Sequence, residues 1–259
     1  MSGFYTGMKI PQTKFVIKSP ELKKVEWKNC DFNDERKMFD TFSLQHNIFG
    51  NLNVSIRKYE DGFNRWIIEI KNSLNKLFGQ EILSMEKETK NMIGYNIVVE
   101  PEYRYQGHRF GELLRLFSVM EMNENKAKQL KIFSKGSAVY FHSKYKFVPC
   151  NIKFFDRDMA LEAMSKDSTE NFADLKQRAK EIFDAVLKNK SDSEKQRELC
   201  RQTNTLTKEY IKRALQEPDA SSKHAFDYGM DMVLTREEIL KNKDFFNNLF
   251  KKYNIDYSI

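Results

Sequence analysis

An α/β fold is predicted by two changes of pattern along the chain and by one feature of its composition. After a mainly helical stretch ending at Phe49 the apolar residues follow strand periods as far as Val99, and beyond Pro101 they follow helix periods interleaved with short strands. Hydrophobic residues make up 40% of the 259 positions and charged residues 31%, with 13% aromatic, which is enough to fill a packed interior. With only 10 Gly and 5 Pro, collagen-like, linker-like and low-complexity architectures are excluded.

The elements follow in order. Residues 14–17 form a short strand, and 33–49 read as mainly helical, with Asn33 as N-cap and Glu35 in the first turn. Val54 and Ile56 alternate with polar residues, Asp61-Gly62 is a hairpin turn signal, and 66–70 return as a strand. Residues 81–86 and 92–99 form a second hairpin, and the unbroken apolar run Ile97-Val98-Val99 is expected in a strand covered on both faces. Leu113, Leu114, Phe117 and Met120 lie at helical spacing within 111–125. A strand at 131–133, a helix at 137–145 and a strand from Phe147 complete a β-loop-α-β-α-β unit.

Residues 157–222 are polar and helical in period. One apolar stripe runs through Phe172, Leu175, Ala179, Ile182 and Val186, and a second through Leu199, Leu206, Tyr210 and Ala214, ended by Pro218. Two helices packed as a hairpin would hide both. A strand at 230–234 then leads to a helix with Thr235 and Glu238 at capping-box spacing.

No apolar stretch suits a membrane: 113–120 is short and contains Arg115. The first 14 residues lack the apolar core of a secretory signal. Cys30, Cys150 and Cys200 are odd in number and form no CxxC, which fits a reducing compartment and offers no zinc framework. A cytoplasmic protein with no metal is expected. HExxH, GxSxG, Walker A and EF-hand patterns are absent from the sequence.

The formal charge is +7, and residues 104–146 alone hold nine Lys/Arg against three Glu. Such a surplus suits an anionic ligand or nucleic acid. Its centre is VVEPEYRYQGHRFGELLRL, residues 98–116, in which a strand ends, a loop turns and an amphipathic helix begins. Backbone N–H groups at a helix start, with the dipole behind them, make an anion site. Gly107 and Gly111 would admit phosphate oxygens closely, and Arg104 and Arg109 would supply charge. An ordinary strand-to-helix turn with solvated arginines explains the same residues.

This segment resembles the acyl-CoA-binding loop of the GNAT superfamily of N-acetyltransferases, written Q/R-x-x-G-x-G/A, with Arg104 and Gly107 at its first positions. Residues 138–147, AVYFHSKYKF, resemble the family's downstream A-x-x-F-Y-x-K-x-G-F. Together the two motifs span roughly residues 92–150. Arg109 stands where a second small residue is usual, His142 where tyrosine is frequent, and Lys146 in place of glycine.

The resemblance implies a mixed sheet with helices on both faces. It places a GNAT-like core at 1–156, a helical insertion at 157–222, and a last strand and helix at 223–259 completing the core. It implies acetyl-CoA as co-substrate, held by Val98, Val99, Arg104, Gln106, Gly107, His108, Arg109, Phe110, Gly111 and Lys135. The N–H of Val98 or Val99 would polarise the thioester carbonyl. His142 would protonate the departing thiolate, with a surface histidine as the plain alternative; Tyr140 and Tyr145 are further acids or core aromatics.

Glu69, Glu81 and Glu100 are candidate bases, each also explained as a solvated strand residue, and His46 and His224 receive no role. His108 is either a phosphate or adenine contact or a solvent-facing loop residue. The expected reaction is acyl transfer to a primary amine, on a small molecule or a protein, and a homodimer is left open. Two other readings remain: a CoA binder without turnover, and a nucleic-acid module using Arg104, Arg109, Lys126, Lys128 and Lys131. The second is disfavoured by the lack of any nucleic-acid motif.

Overall fold

The computed structural model describes residues 15–17, 38–46, 48–61, 63–104, 107–218, 224, 226, 228–253 and 255–259. They fall into two compact units, 1–129 with 239–259, and 130–238. Both are α/β, as the sequence predicts.

In the first unit β1 (Phe15–Ile17), β2 (Met38–His46), β3 (Gly50–Asp61), β4 (Phe63–Asn72), β5 (Leu77–Met85) and β6 (Asn91–Val99) form an antiparallel meander in chain order. Strict alternation drives it: Leu52, Val54 and Ile56 on β3 and Trp66, Ile68 and Ile70 on β4 point into one core. Asp61 pairs with Phe63, while Gly62 of the expected turn lies outside the described residues.

The helix expected over 33–49 is a strand where described: β2 pairs with β3 from Met38↔Lys58 to His46↔Gly50. Phe42 and His46 are both buried. A spacing of four satisfies a helical stripe and a strand face equally, and β-sheet pairing decides between them. Asn33 and Glu35 lie outside the described residues.

Helix α1 (Phe110–Glu124) lies on β4, β5 and β6. It buries Leu113, Leu114, Leu116, Phe117 and Val119 completely, each such side chain contributing about 1.5–3 kcal/mol. The packing is close: a Cβ on Gly79 of β5 would sit 2.9 Å from the Val98 carbonyl oxygen and 3.2 Å from Leu114 Cδ1.

The second unit holds β7 (Gln129–Ser134, its first residue at the boundary), α2 (Val139–Lys144), β8 (Val148–Pro149), α3 (Phe154–Lys166), α4 (Ala173–Lys188), α5 (Ser193–Ala214) and β9 (Met230–Thr235). β9 lies between β7 and β8 and runs antiparallel to β8. Among the described residues the helices between the last two strands number three rather than two. α3 joins the expected pair and buries Ala160, Leu161 and Met164. Both apolar stripes are inward, Ile182 being half-buried. α5 ends at Ala214, four residues before Pro218.

Helix α6 (Arg236–Lys241) begins with Glu238 N–H donating to Thr235 Oγ1 at 3.1 Å, the cap the sequence predicts. α7 (Lys243–Lys252) belongs to the first unit and buries Phe246 and Phe250. Among the described residues no helix is long and apolar enough to cross a membrane.

His224, without a role in the sequence, is fully buried among polar partners in the second unit. Its Nδ1 lies 2.7 Å from Asp167 Oδ2 and its Nε2 3.3 Å from Glu217. The Tyr210 hydroxyl donates to the same Asp167 oxygen, and Tyr140 donates to the His224 carbonyl at 2.7 Å. Burial raises the Asp167 pKa, but hydrogen bonds from Tyr210, Thr169 and His224 outweigh it and hold the carboxyl below its usual range. The stability it contributes is present above pH ~4 and lost as pH falls through the lowered value. Asp167→Asn should therefore lower stability by about 1.5–3 kcal/mol at pH 7, with the gap to wild type closing below pH 4 in urea melts. A gap independent of pH would contradict this.

Candidate acyl-CoA site

The end of β6 is bent before the loop begins. Leu83 pairs with Gly94 but Ile82 with Asn96, so Tyr95 is the extra residue of a bulge, and its hydroxyl accepts from Ser84 Oγ at 3.0 Å. Beyond the bulge Ile97, Val98 and Val99 are half-exposed rather than covered on both faces.

Gly79 and Val99 face each other, and the bond beside them runs from Glu100 N–H to Phe78 O at 3.0 Å. In an antiparallel ladder this makes 79/99 the non-bonded pair, so the N–H and C=O of Val99 turn away from β5. The Val99 carbonyl accepts from Arg104 Nε at 2.6 Å, folding the first loop cation back over the strand end.

From Gly107 the loop alternates. Gly107 and Arg109 are exposed, while His108 and Phe110 are buried. The buried pair enters an aromatic cluster with His46, Phe49, Phe78 and Tyr103. His108 lies 4.9 Å from Phe49 and 5.7 Å from His46, and Phe110 lies 5.1 Å from Phe78, ring centre to ring centre. His46 Nδ1 accepts from the N–H groups of Ile48 (3.0 Å) and Phe49 (3.2 Å), which assigns the ring proton to Nε2. Burial, then the neighbouring His108, pushes the His46 pKa down to about 4, and burial lowers that of His108.

Both rings are therefore mainly neutral at pH 7. His108 is a loop anchor, not the solvent-facing residue that was one expectation. His46, which the sequence left without a partner, is part of the same anchor.

The anchoring fixes an unusual backbone. Gly107 (φ 74°) and Arg109 (φ 59°) are both left-handed, a conformation costing non-glycine residues roughly 1–2 kcal/mol. Arg109 caps α1, whose ladder opens with Leu113 N–H to Arg109 O at 3.0 Å. Gly111 occupies the first turn, and Gln106 lies outside the described residues.

Glu112, in the same turn, receives Lys252 Nζ at 2.7 Å and the Tyr253 hydroxyl, and Arg109 Nη1 lies 3.8 Å away. These partners come from a chain segment some 140 residues on, beyond the reach of local pattern.

Two of the three candidate bases are occupied. Glu81 is 1% exposed, bonded to Arg115 Nη1 at 2.9 Å and to the Ser118 hydroxyl. Burial pushes its pKa up against the pull of Arg115. Glu69, also buried, pairs with Arg57 (2.6 Å) and Lys71 (3.1 Å). Neither is a solvated strand residue. Glu100 alone of the three is half-exposed.

Lys135 and His142 belong to the second unit. Lys135 is exposed and precedes a 3₁₀ turn at Gly136–Ala138. His142 is 7% exposed, not on the surface, and its ring centre lies 5.9 Å from that of Phe147. Its carbonyl accepts from Tyr145 N–H at 2.9 Å and Phe147 N–H at 3.3 Å, closing α2. Tyr140 and Tyr145 are core aromatics.

Lys146 follows with φ 68°. Thus Arg109 and Lys146, two of the residues that depart from the small-residue motif, both adopt the backbone that glycine favours. Cys150 and Cys200 form no disulfide, and no group of three metal-ligating side chains converges among the described residues.

Two stability outcomes follow. Arg115→Leu strands the buried Glu81 charge and should cost about 3–5 kcal/mol, most of it recovered in Glu81→Leu/Arg115→Leu. Additive losses in the urea cycle would contradict the pairing. Lys146→Gly should raise stability by about 0.5–1 kcal/mol, left-handed strain relieved less the extra chain entropy of glycine; a lower urea midpoint would contradict it.

Comparison with protein-family models and with curated protein sequences gives no match. Among solved structures, an acetyltransferase from Bacillus cereus aligns over 34% of this chain and 61% of its own, at 18% identity and a TM-score of 0.31. A GNAT family acetyltransferase from Elizabethkingia anophelis with acetyl-CoA bound aligns over 34% of this chain and 56% of its own, at 22% identity and a TM-score of 0.29. Nourseothricin acetyltransferase aligns over 55% and 87%, at 16% identity and a TM-score of 0.31. In the first two the chain spans a little over half the length of the protein it matches. The solved structures to which parts of this chain are similar are thus acetyltransferases, two of them at about a third of its length.

Proposed function

We propose that the chain is an N-acyltransferase that moves an acetyl or other short acyl group from acyl-CoA to a primary amine, with acetyl-CoA as donor. The observation that carries this reading is the exposed, cationic, left-handed Gly107–Arg109 loop between the outward-turned backbone of Val99 and the first turn of α1. Its donor set fits a diphosphate: N–H groups at a helix start, a glycine that allows close approach, and the exposed guanidinium of Arg109. His108 and Phe110 contribute through backbone and anchoring, their rings being buried.

In this reading the thioester carbonyl takes its hydrogen bond from Val99 rather than Val98, since the Val99 N–H turns away from β5. A neutral amine nitrogen attacks the carbonyl carbon, the C–S bond breaks, and CoA leaves as thiolate. The amine is charged in water at pH 7 and gives up one proton before attack and a second after it. Glu100 is the half-exposed carboxylate beside Val99 to take one of them. Lys135 as a CoA contact and His142 as the acid for the thiolate follow from the motif alone. The burial of His142 favours the second reading, binding without turnover.

The test is CoA thiol release by the full chain from acetyl-CoA against a panel of small amines and lysine peptides, alongside calorimetric CoA binding. Arg109→Ala should weaken CoA binding about tenfold, ~1.4 kcal/mol. His142→Ala should leave binding unchanged and slow turnover by ~10²-fold or more. Binding with no thiol release for any amine would select the non-catalytic reading, and absence of CoA binding would overturn both.

A further inference from the structure

The 22-residue helix α5 has a polar face that none of the chemistry above uses. Arg197, Arg201, Lys208 and Lys212 are all exposed. At 100° per residue they fall within about 60° of one another around the helix, and at 1.5 Å per residue their row is about 22 Å long. Arg201 shares its charge with Glu198 at 2.7 Å. Arg197, Lys208 and Lys212 have no carboxylate at ion-pair distance among the described residues.

The other acids of this region are drawn aside. Glu209 is held by Arg178 and Arg213, and Glu194 stands at the N-terminal end of the row. The charge extends past the helix: burial and Asp231 push the Cys150 pKa up, while Lys131 of β7 and Lys208 both pull it down.

A solvated helix face ordinarily mixes signs, because i,i+4 pairs of opposite charge stabilise it and like pairs oppose it. Here Arg197/Arg201 and Lys208/Lys212 are both like-charged i,i+4 pairs, an arrangement that costs the isolated helix and is relieved by an external anion. The row carries no aromatic or aliphatic anchor: its remaining neighbours on the helix are Glu194, Asn204 and Thr205, and none of the large exposed apolar side chains lies on α5. Protein partners are held mainly by buried apolar anchors, whereas a phosphate backbone needs only a line of cations.

We infer that the exposed row of α5 is a contact surface for a nucleic-acid phosphate backbone, engaged without base recognition. Apart from Lys131, it uses none of the residues through which the sequence would have bound nucleic acid, and it stands whether or not the chain binds CoA.

The test is fluorescence anisotropy of a labelled 20-nucleotide single-stranded RNA, and of the corresponding duplex, with the full chain between 50 and 200 mM salt. Three to four phosphate contacts give a log–log slope of about −2 to −3 on the single strand, a loss of roughly 20- to 50-fold in affinity over that range. Arg197→Gln/Arg201→Gln/Lys208→Gln/Lys212→Gln should bind at least tenfold more weakly with a nearly flat slope. The same charge removed from α4 and the turn after it, as Lys176→Gln/Lys180→Gln/Lys188→Gln/Lys190→Gln, should cost no more than about threefold.

Should the fourfold variant fail to fold, Lys208→Gln and Lys212→Gln singly should each reduce the slope by about 0.7. A steeper slope with the duplex assigns the double strand as the preferred form. Equal losses in the two fourfold variants, or no binding by wild type at 50 mM salt, would overturn the inference. So would competition by a polyglutamate of equal charge as strong as by unlabelled RNA, which would assign the row to an acidic polypeptide.

Discussion

Everything in the first unit depends on how α1 is laid across the sheet, and one buried ion pair sets that placement. Apolar side chains would let the helix slide or rotate by small amounts with little change in buried area, because the hydrophobic effect has no direction. Glu81 on β5 removes that freedom: its two oxygens engage Arg115 and Ser118, one turn apart on α1, in a region with almost no access to water. Leaving either charge unmatched is costly, so the helix has one register on the sheet. The N-terminus of α1 is thereby fixed a set distance from the end of β6, and residues 100–109 must span it.

That constraint explains the character of the loop. Its start is tied by Arg104 to the Val99 carbonyl and its end by the burial of His108 and Phe110. Gly107 and Arg109, on either side of His108, are turned outward with left-handed backbone. A flexible segment would have to be ordered by a ligand at an entropic cost; Gly107 to Phe110 present their donors already ordered. Neutral His46 and His108 suit the arrangement, since an imidazolium in a cluster of aromatic rings would bear the cost of desolvation without a counter-ion.

Much of this was legible in the sequence wherever a short-range period decides. The pairing of β3 with β4, the alternation along them, the stripe of α1 and the Thr235/Glu238 cap are local signals, and each forms. The strand β2 was not legible, because Phe42 and His46 at a spacing of four fit both periods and the choice rests on pairing with β3. For the same reason Glu81 and Glu69 read as solvated strand residues: their partners Arg115 and Arg57 are 34 and 12 positions away. The anchoring rings of His46 and Phe49, and the hold of Lys252 and Tyr253 on Glu112, are long-range contacts with no local trace. Arg109 and Lys146 are instructive in the opposite sense: they look like broken motif positions by residue type, yet their backbone dihedrals are ones that glycine favours.

The functional reading thus rests on a shape held by long-range contacts and recognised through a short motif, and it has a localised consequence. Acetyl-CoA seated on the loop must cover the amides of residues 104–113. Hydrogen–deuterium exchange of the full chain, with and without saturating acetyl-CoA, reads those amides directly. The account predicts slower exchange in peptides spanning 104–113, with little change in α5. Unchanged exchange across 104–113 under saturating acetyl-CoA would contradict it.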